Sequence, residues 1–244
     1  MKERKNLEFI PEQSKLEFEP ISHTYSLNGQ NLVSVSSILK EYSTPFDVDG
    51  KIVARKAVEN GISVEEQKAI WEKLGKDSRE KGTLFHADAE NYIKTKKIPN
   101  TPNKKLIKEF SKIKFKGALF SEVRLFNLDY GVAGTTDLIE VFPDNSISLA
   151  DYKTSQAKKM SRFSFGRKML YPLNNTWDST LDKFEIQMSI YSYMLEEAGW
   201  WVRNLMVYHI DYDKQKIKEF PMQNRRKDVI RMLDHYKQNR LLKS

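Results

Sequence analysis

The stretch that decides the fold lies at the centre of the chain, where residues 131–155 read GVAGTTDLIEVFPDNSISLADYKTS. Two largely apolar runs, residues 131–141 and 146–153, are separated by a Pro-Asp-Asn sequence at 143–145 that favours a tight turn. A third run of the same kind, residues 118–126, precedes them. We therefore predict three consecutive strands, each with much of its length buried by apolar neighbours.

Charged residues interrupt these apolar strands, and three of them, Asp137, Asp151 and Lys153, can converge. A carboxylate inside a buried strand is costly unless a metal ion or a charged partner compensates it. Asp151 and Lys153 are two residues apart and so project from the same face of a strand, and pairing across the turn brings Asp137 towards Asp151. Carboxylate oxygens are suitable ligands for Mg²⁺ or Mn²⁺, and such an ion activates a water molecule and neutralises charge on a phosphate. A lysine beside the ion can orient that water, or deprotonate it if the pKa of the lysine is depressed. The alternative is that both acids lie at strand ends and the lysine makes an ordinary salt bridge, because D-x-K sequences often arise by chance.

The remaining periodicities predict an α/β protein with one central mixed sheet. Asn28-Gly29 lies between two short alternating runs and predicts a hairpin, and Ser63 with Glu66 fits the capping box of a helix. The hairpin strands are predicted at 23–27 and 31–35, the helices at 49–96, 103–114, 183–198 and 224–242, and a closing strand pair at 205–211 and 216–220. We expect one domain over residues 1–244, composed of a hairpin and helical elaboration (1–81), a core (82–220) and a C-terminal basic helix (221–244).

The composition excludes several classes of site. The chain has 41 Lys and Arg residues against 33 Asp and Glu residues, and its formal net charge of +8 favours a polyanionic partner. It has no cysteine, which excludes disulfides, thiolate zinc sites and cysteine-ligated iron–sulfur clusters. No run of about 18 apolar residues occurs, so no membrane-spanning helix is expected. The first fifteen residues contain no apolar signal core.

Four short motifs follow one another along the chain. They are Gly82-x-x-x-His86, Gly134-x-x-Asp137, Asp151-x-Lys153 and Gln187-x-x-x-Tyr191. With these motifs in this order, residues 82–198 resemble the RecB-like exonuclease branch of the PD-(D/E)XK nuclease superfamily. The SVSSIL segment at residues 34–39 is more weakly similar to phage and mitochondrial exonucleases of that branch. The chain departs from the family pattern in having Thr136 instead of proline before the first aspartate. It also lacks the four cysteines that hold an iron–sulfur cluster in some relatives.

The resemblance implies a restriction-endonuclease-like core, in which a central mixed β-sheet is flanked by helices, with one or two Mg²⁺ or Mn²⁺ ions. The metal ligands that the resemblance implies are His86, Asp137, Asp151 and the carbonyl of Tyr152. The catalytic residues that it implies are Asp137, Asp151, Lys153, Gln187 and Tyr191. Among these, Lys153 would act on the attacking water. Gln187 and Tyr191 are four residues apart and share a helix face, although a core tyrosine beside a polar boundary residue explains the same spacing. Glu90, one turn after His86, and Glu122, in the strand before the first motif, are candidates for supporting the metal site.

The segment that follows the D-x-K motif is basic and aromatic, and residues 156–171 contain no acid. Cations pair with phosphates and aromatic rings stack on unpaired bases, so we predict that this segment contacts DNA. The predicted contact residues are Lys158, Lys159, Arg162, Phe163, Phe165, Arg167 and Lys168. The alternative is a solvated loop whose aromatic side chains pack back on the core.

The sequence and the resemblance together predict a metal-dependent deoxyribonuclease, and favour an exonuclease that acts on single-stranded DNA or free DNA ends. The expected setting is phage DNA replication, recombination or repair in the cytoplasm of a bacterial host, with DNA and not a membrane as the partner. Two alternatives stay open: a structure-specific endonuclease, and a non-catalytic nucleic-acid-binding subunit of a replication or recombination complex. Digestion of linear and closed-circular DNA separates these three functions.

Overall fold

The centre of the molecule is a mixed sheet, to which the described residues contribute eight strands. The structure is a computed structural model that describes residues 7–20, 22, 24–45, 50–154 and 160–242. The strands are β1 (Leu16–Glu19), β2 (Thr24–Leu27), β3 (Gln30–Ser34), β4 (Ala118–Asn127), β5 (Val132–Val141), β6 (Ser146–Lys153), β7 (Trp201–Asp211) and β8 (Lys216–Met222). The helices of the described residues are α1 (Val35–Glu41), α2 (Lys51–Asn60), α3 (Val64–Thr95), α4 (Lys104–Phe110), α5 (Thr180–Glu197) and α6 (Arg226–Leu241). A mixed sheet flanked by helices confirms the predicted fold class and is consistent with a restriction-endonuclease-like core.

The three central strands form where the sequence predicts them. β5 and β6 make an antiparallel hairpin across the turn at 143–145, with Leu138 opposite Ala150. Asn28 and Gly29 both adopt positive φ, the conformation that a tight hairpin turn requires, and they connect β2 to β3. His23, at the predicted start of that hairpin, lies outside the described residues.

α3 runs without a break from Val64 to Thr95. The predicted capping box begins it, because the Ser63 hydroxyl accepts the Glu66 N–H and the Glu66 carboxylate accepts the Ser63 N–H. The division predicted between residues 81 and 82 therefore falls inside one helix. Neither α3 nor any other helix of the described residues is long and apolar enough to cross a membrane.

β5 has two different neighbours along one of its edges. β4 pairs with residues 132–141 of β5 on one edge. On the other edge β3 pairs in parallel with Val132 and Ala133, whereas β6 pairs antiparallel with residues 138–141. Residues 134–137 therefore lie at a fork, where none of the described strands pairs with that edge.

Helices cover both faces of the sheet at this fork. Leu138 packs in a cluster with Phe85 of α3 and Phe110 of α4, whereas its neighbour Ile139 belongs to the cluster that includes Ile190 of α5. Adjacent strand residues point to opposite faces, so α3 lies on one side of β5 and α5 on the other. Side chains from both helical layers can therefore reach the fork.

Candidate active site at the sheet fork

Asp137 occupies the β5 position at which pairing with β6 stops. Main-chain pairing ends at Leu138 and Ala150, and the Asp137 carboxylate then accepts the backbone N–H of Tyr152 at 2.5 Å. The side chain thus takes the place of a main-chain acceptor, which fixes its orientation. Asp137 is only 6 % exposed, so little solvent screens its charge.

Three donor groups meet at this point, from His86 of α3, Glu122 of β4 and Asp137 of β5. The Nδ1 atom of His86 lies 3.3 Å from Oε1 of Glu122 and 3.3 Å from Oδ1 of Asp137. The three candidate ligand atoms all lie within 4.8 Å of one another. Glu122 interrupts the β4–β5 pairing with a φ of 51°, a left-handed conformation that costs a non-glycine residue about 1–3 kcal/mol. We name this set the donor group.

The chemistry of the donor group suits a hard divalent cation. Two carboxylates and one imidazole are ligand types that Mn²⁺ accepts, and Mg²⁺ binds through the carboxylates. Burial lowers the pKa of His86, but the charges of Asp137 and Glu122 outweigh this effect and raise that pKa to about 10. The imidazole is therefore protonated at neutral pH without a metal, and a metal ion that binds it must displace that proton.

Asp151 and Lys153 project from the same face of β6, as the sequence predicts. Nζ of Lys153 lies 2.6 Å from Oδ2 of Asp151 and 4.8 Å from the ring centroid of Phe184 on α5. Burial and the charge of Asp137 raise the pKa of Asp151. Burial lowers the pKa of Lys153, but the charges of Asp151 and Asp137 outweigh burial and raise it. Lys153 is therefore an ammonium at neutral pH, and the depressed pKa that would let it deprotonate water is absent.

The predicted metal ligands lie around one cavity, although not in the arrangement that the sequence suggests. His86, Asp137, Asp151 and Tyr152 all line this cavity. Glu122, predicted only as a supporting residue, belongs to the donor group, whereas Asp151 is engaged in its ion pair. Ligation by Asp151 and by the Tyr152 carbonyl stays a prediction.

Gln187 and Tyr191 of α5 line the same cavity from the other face of the sheet. The amide of Gln187 donates to the Tyr191 hydroxyl at 3.4 Å. Tyr191 packs directly on Gly134, where an added β-carbon would lie 2.7 Å from the Tyr191 ring and 3.1 Å from Val35. Gly134 and Tyr191, which belong to two different motifs, are therefore in contact, and this contact gives Tyr191 a packing role. A catalytic role for Tyr191 stays a prediction.

Replacement of Gly134 by alanine is expected to destabilise the protein by about 1–3 kcal/mol, because the new methyl group overlaps the buried Tyr191 ring. Thermal unfolding of the purified variant measures this loss. Gly75→Ala in α3 is the matched control, since its added β-carbon would meet only ordinary contacts and alanine favours a helix. An unchanged melting temperature for Gly134→Ala would contradict the close packing.

Two cavities meet at the site and share His86, Glu122, Tyr152 and Lys153. The smaller one, of about 320 Å³, extends towards β2, α1 and α5. The larger one, of about 530 Å³, extends along α3 and is named the α3 cavity; it adds Ser78, Arg79, Gly82, Thr83 and Thr154 to its lining. Gly82 belongs to the first sequence motif, whereas Ser78, Arg79, Thr83 and Thr154 belong to none of the four motifs. Three- and four-residue steps before His86 place positions 79 and 83 on the same helix face as Gly82. Glu90 lines neither cavity and pairs instead with Lys94 at 2.6 Å.

Arg162 of the basic segment is not the free cation that the sequence suggests. Its guanidinium binds the carboxylate of Glu185, which is fully buried, and lies 3.1 Å from Oδ1 of Asp182. A phosphate contact by Arg162 would break this pair and leave the buried Glu185 with less compensating charge, from Arg225 at 3.4 Å, which is costly. The pair therefore fastens the segment to α5.

The aromatic part of the segment lies open to solvent. Phe163 and Phe165 are 68 % and 75 % exposed, so these two rings do not pack back on the core. Arg167 donates from Nε to the Ser164 carbonyl at 3.4 Å, and Nζ of Lys168 lies 3.4 Å from the ring centroid of Trp177. Lys158 and Lys159 lie outside the described residues, and DNA contact by the segment stays a prediction.

Comparison with known proteins assigns no family to the chain. No family model matches the chain, and no curated protein sequence matches it. The crystal structure of SSO0001 is similar with a TM-score of 0.39 at 15 % identity, over 85 % of this chain and 75 % of that chain. A crystal structure of a candidate exonuclease from Eubacterium rectale is similar with a TM-score of 0.39 at 14 % identity, over 86 % of this chain and 80 % of that chain.

Proposed function

We propose that this protein is a metal-dependent deoxyribonuclease of the RecB-like branch of the PD-(D/E)XK superfamily. The observation that carries the proposal is that the donor group and the Asp151–Lys153 pair converge at one sheet fork and open into two cavities. Packing alone does not require three acids and two bases to meet there, and burying them is costly. Clusters of this kind are typical of catalytic sites.

Each residue of the site has a chemical task in phosphodiester hydrolysis. A divalent ion held by the donor group supplies a Lewis acid that offsets negative charge on the phosphate and lowers the pKa of water. Lys153, as an ammonium, donates a hydrogen bond that orients the attacking water or a phosphate oxygen. Asp151 holds Lys153 in place through the 2.6 Å ion pair. Gln187 and Tyr191 form the part of the smaller cavity's wall that α5 contributes.

We propose further that the enzyme is an exonuclease on single-stranded DNA or free DNA ends. The rings of Phe163 and Phe165 lie with their centroids 4.5 Å apart, and both are exposed. Exposed rings stack only on bases that are themselves unpaired, so such a pair suits a single strand. The net charge of +8 favours the polyanion.

Incubation of the purified protein with linear and closed-circular single-stranded DNA, with Mg²⁺ or Mn²⁺ and with chelator, tests the proposal. An exonuclease degrades the linear molecule and leaves the closed circle intact. Cutting of both molecules would identify an endonuclease instead. Binding without metal-dependent degradation of either molecule would contradict the nuclease proposal and favour a non-catalytic DNA-binding subunit.

Replacing both Phe163 and Phe165 by alanine is expected to weaken single-strand binding by about 30-fold or more, because two stacks are lost and each contributes about 1–3 kcal/mol. The slope of log affinity against log salt should stay the same, since stacking releases no counterions. Fluorescence anisotropy with a labelled oligonucleotide measures both quantities. Trp201→Ala is the control, because Trp201 is 65 % exposed and pairs with Ser146, at the end of β6 away from Lys153. Parental affinity in the double variant would exclude the stacking role.

A further inference from the structure

The α3 cavity contains a cation that the proposed chemistry does not use. Arg79 lies on the same face of α3 as Gly82 and His86, two helical turns or about 10 Å along the axis before His86. Its guanidinium turns back along α3, with Nη1 3.4 Å from the position that a β-carbon on Gly75 would take. Arg79 therefore points away from the donor group, and a ligand on Arg79 is a different chemical group from the one at His86.

The wall that carries Arg79 is held against the end of the catalytic strand. The Thr154 hydroxyl, directly after β6, donates to the carbonyl of Ser78 at 3.4 Å. A β-carbon on Gly82 would lie 3.3 Å from that hydroxyl oxygen, which is tighter than ordinary contact. Glycine is unfavourable inside a helix, but at position 82 it permits the close approach and leaves the cavity beside Arg79 open. The distance from Arg79 to the site is thus set by packing.

The charge of Arg79 is uncompensated within the part of the chain that the structure describes. No carboxylate there forms an ion pair with it, whereas Lys153 is paired with Asp151 at 2.6 Å. The site itself contains the three carboxylates of Glu122, Asp137 and Asp151, which repel a phosphate strand unless cations line its path. Arg79 supplies such a cation at the far end of the α3 cavity.

We propose that Arg79 binds an internal phosphodiester of the DNA strand, adjacent to the one that is hydrolysed, and so positions the strand in the α3 cavity. The class of substrate rests on the proposed function. A guanidinium binds two phosphate oxygens at once, and Ser78 and Thr83, two residues with hydroxyl groups, line the same cavity.

The test measures binding of a short labelled single-stranded oligonucleotide at several salt concentrations, with Asp151→Asn in every protein so that the strand is not cut. Arg79→Ala is expected to weaken binding by about tenfold and to reduce the salt slope by about 0.7, the value for one lost phosphate contact. Arg79→Lys should keep the slope, because it keeps the charge. Arg55→Ala on α2 is the matched control, since Arg55 is already paired with Glu59 at 3.5 Å, and it should change neither quantity. In the protein that keeps Asp151, and so can hydrolyse DNA, Arg79→Ala should raise KM and leave kcat nearly unchanged.

Equal effects of Arg79→Ala and Arg55→Ala, or an unchanged salt slope in Arg79→Ala, would overturn the proposal. The oligonucleotide is used with and without a terminal phosphate. A loss of affinity confined to the phosphorylated strand would place a terminal phosphate at Arg79 and would also refute an internal contact. If the parental protein binds DNA but never hydrolyses it, the proposed function fails while the binding comparison still decides the role of Arg79.

Discussion

Replacing Asp151 by asparagine, or Lys153 by alanine, is expected to lower the rate of DNA hydrolysis by about 10²–10³-fold or more, because either change removes a preorganised charge next to the reacting phosphate. Asparagine has nearly the shape of aspartate, so the packing of β6 between β5 and β7 should persist. Most of the DNA affinity should persist as well, since both variants keep Arg79 and the exposed rings of Phe163 and Phe165. Single-turnover cleavage in Mn²⁺, with circular dichroism of each variant, measures the outcome.

A second lysine–aspartate pair in the same sheet provides the control. Lys218 of β8 lies 3.4 Å from the buried carboxylate of Asp211 on β7, and neither residue lines the two cavities. Lys218→Ala should therefore leave cleavage unchanged. Near-parental turnover by Asp151→Asn or Lys153→Ala would remove that residue from the mechanism.

Replacing His86 by alanine, or Glu122 by glutamine, is expected to weaken Mn²⁺ binding by about 10–100-fold, because the first change removes one of the three donors and the second removes a negative charge from them. Isothermal titration calorimetry with the metal alone measures this without relying on activity. Cleavage should need a correspondingly higher Mn²⁺ concentration. Glu90→Gln is the control, since Glu90 is an acid one helical turn after His86 on α3, but it pairs with Lys94 and lines neither cavity.

The two variants of the donor group also distinguish its members. If His86→Ala binds Mn²⁺ as tightly as the parent, His86 has only a packing role against the ring of Tyr152, whose centroid lies 5.4 Å away. If Glu122→Gln binds Mn²⁺ as tightly as the parent, the strained Glu122 backbone has no metal to explain it. Unchanged binding in both variants would place any metal site elsewhere, with Asp151 as the next candidate ligand.

The sequence by itself determined those parts of the protein that depend on neighbouring residues. The largely apolar runs on either side of the turn at 143–145 are enough to predict β5 and β6. Side chains along a strand alternate between the two faces of the sheet, so a spacing of two residues is enough to place Asp151 and Lys153 on one face. The capping box of Ser63 and Glu66 is local in the same sense. Such features follow from backbone dihedral angles and from contacts within a few residues, so a single segment contains all the information they need.

Only the tertiary structure decided which distant groups meet. Glu122 contacts His86 although 36 residues separate them, and Tyr191 packs on Gly134, where any side chain would clash. The buried Glu185 forms an ion pair with Arg162, which composition alone counts as a cation available for DNA. These contacts depend on β3 and β6 sharing one edge of β5 and on helices that cover opposite faces of the sheet. Register and layer packing are set by the free energy of the whole core, and no local pattern of residues encodes them.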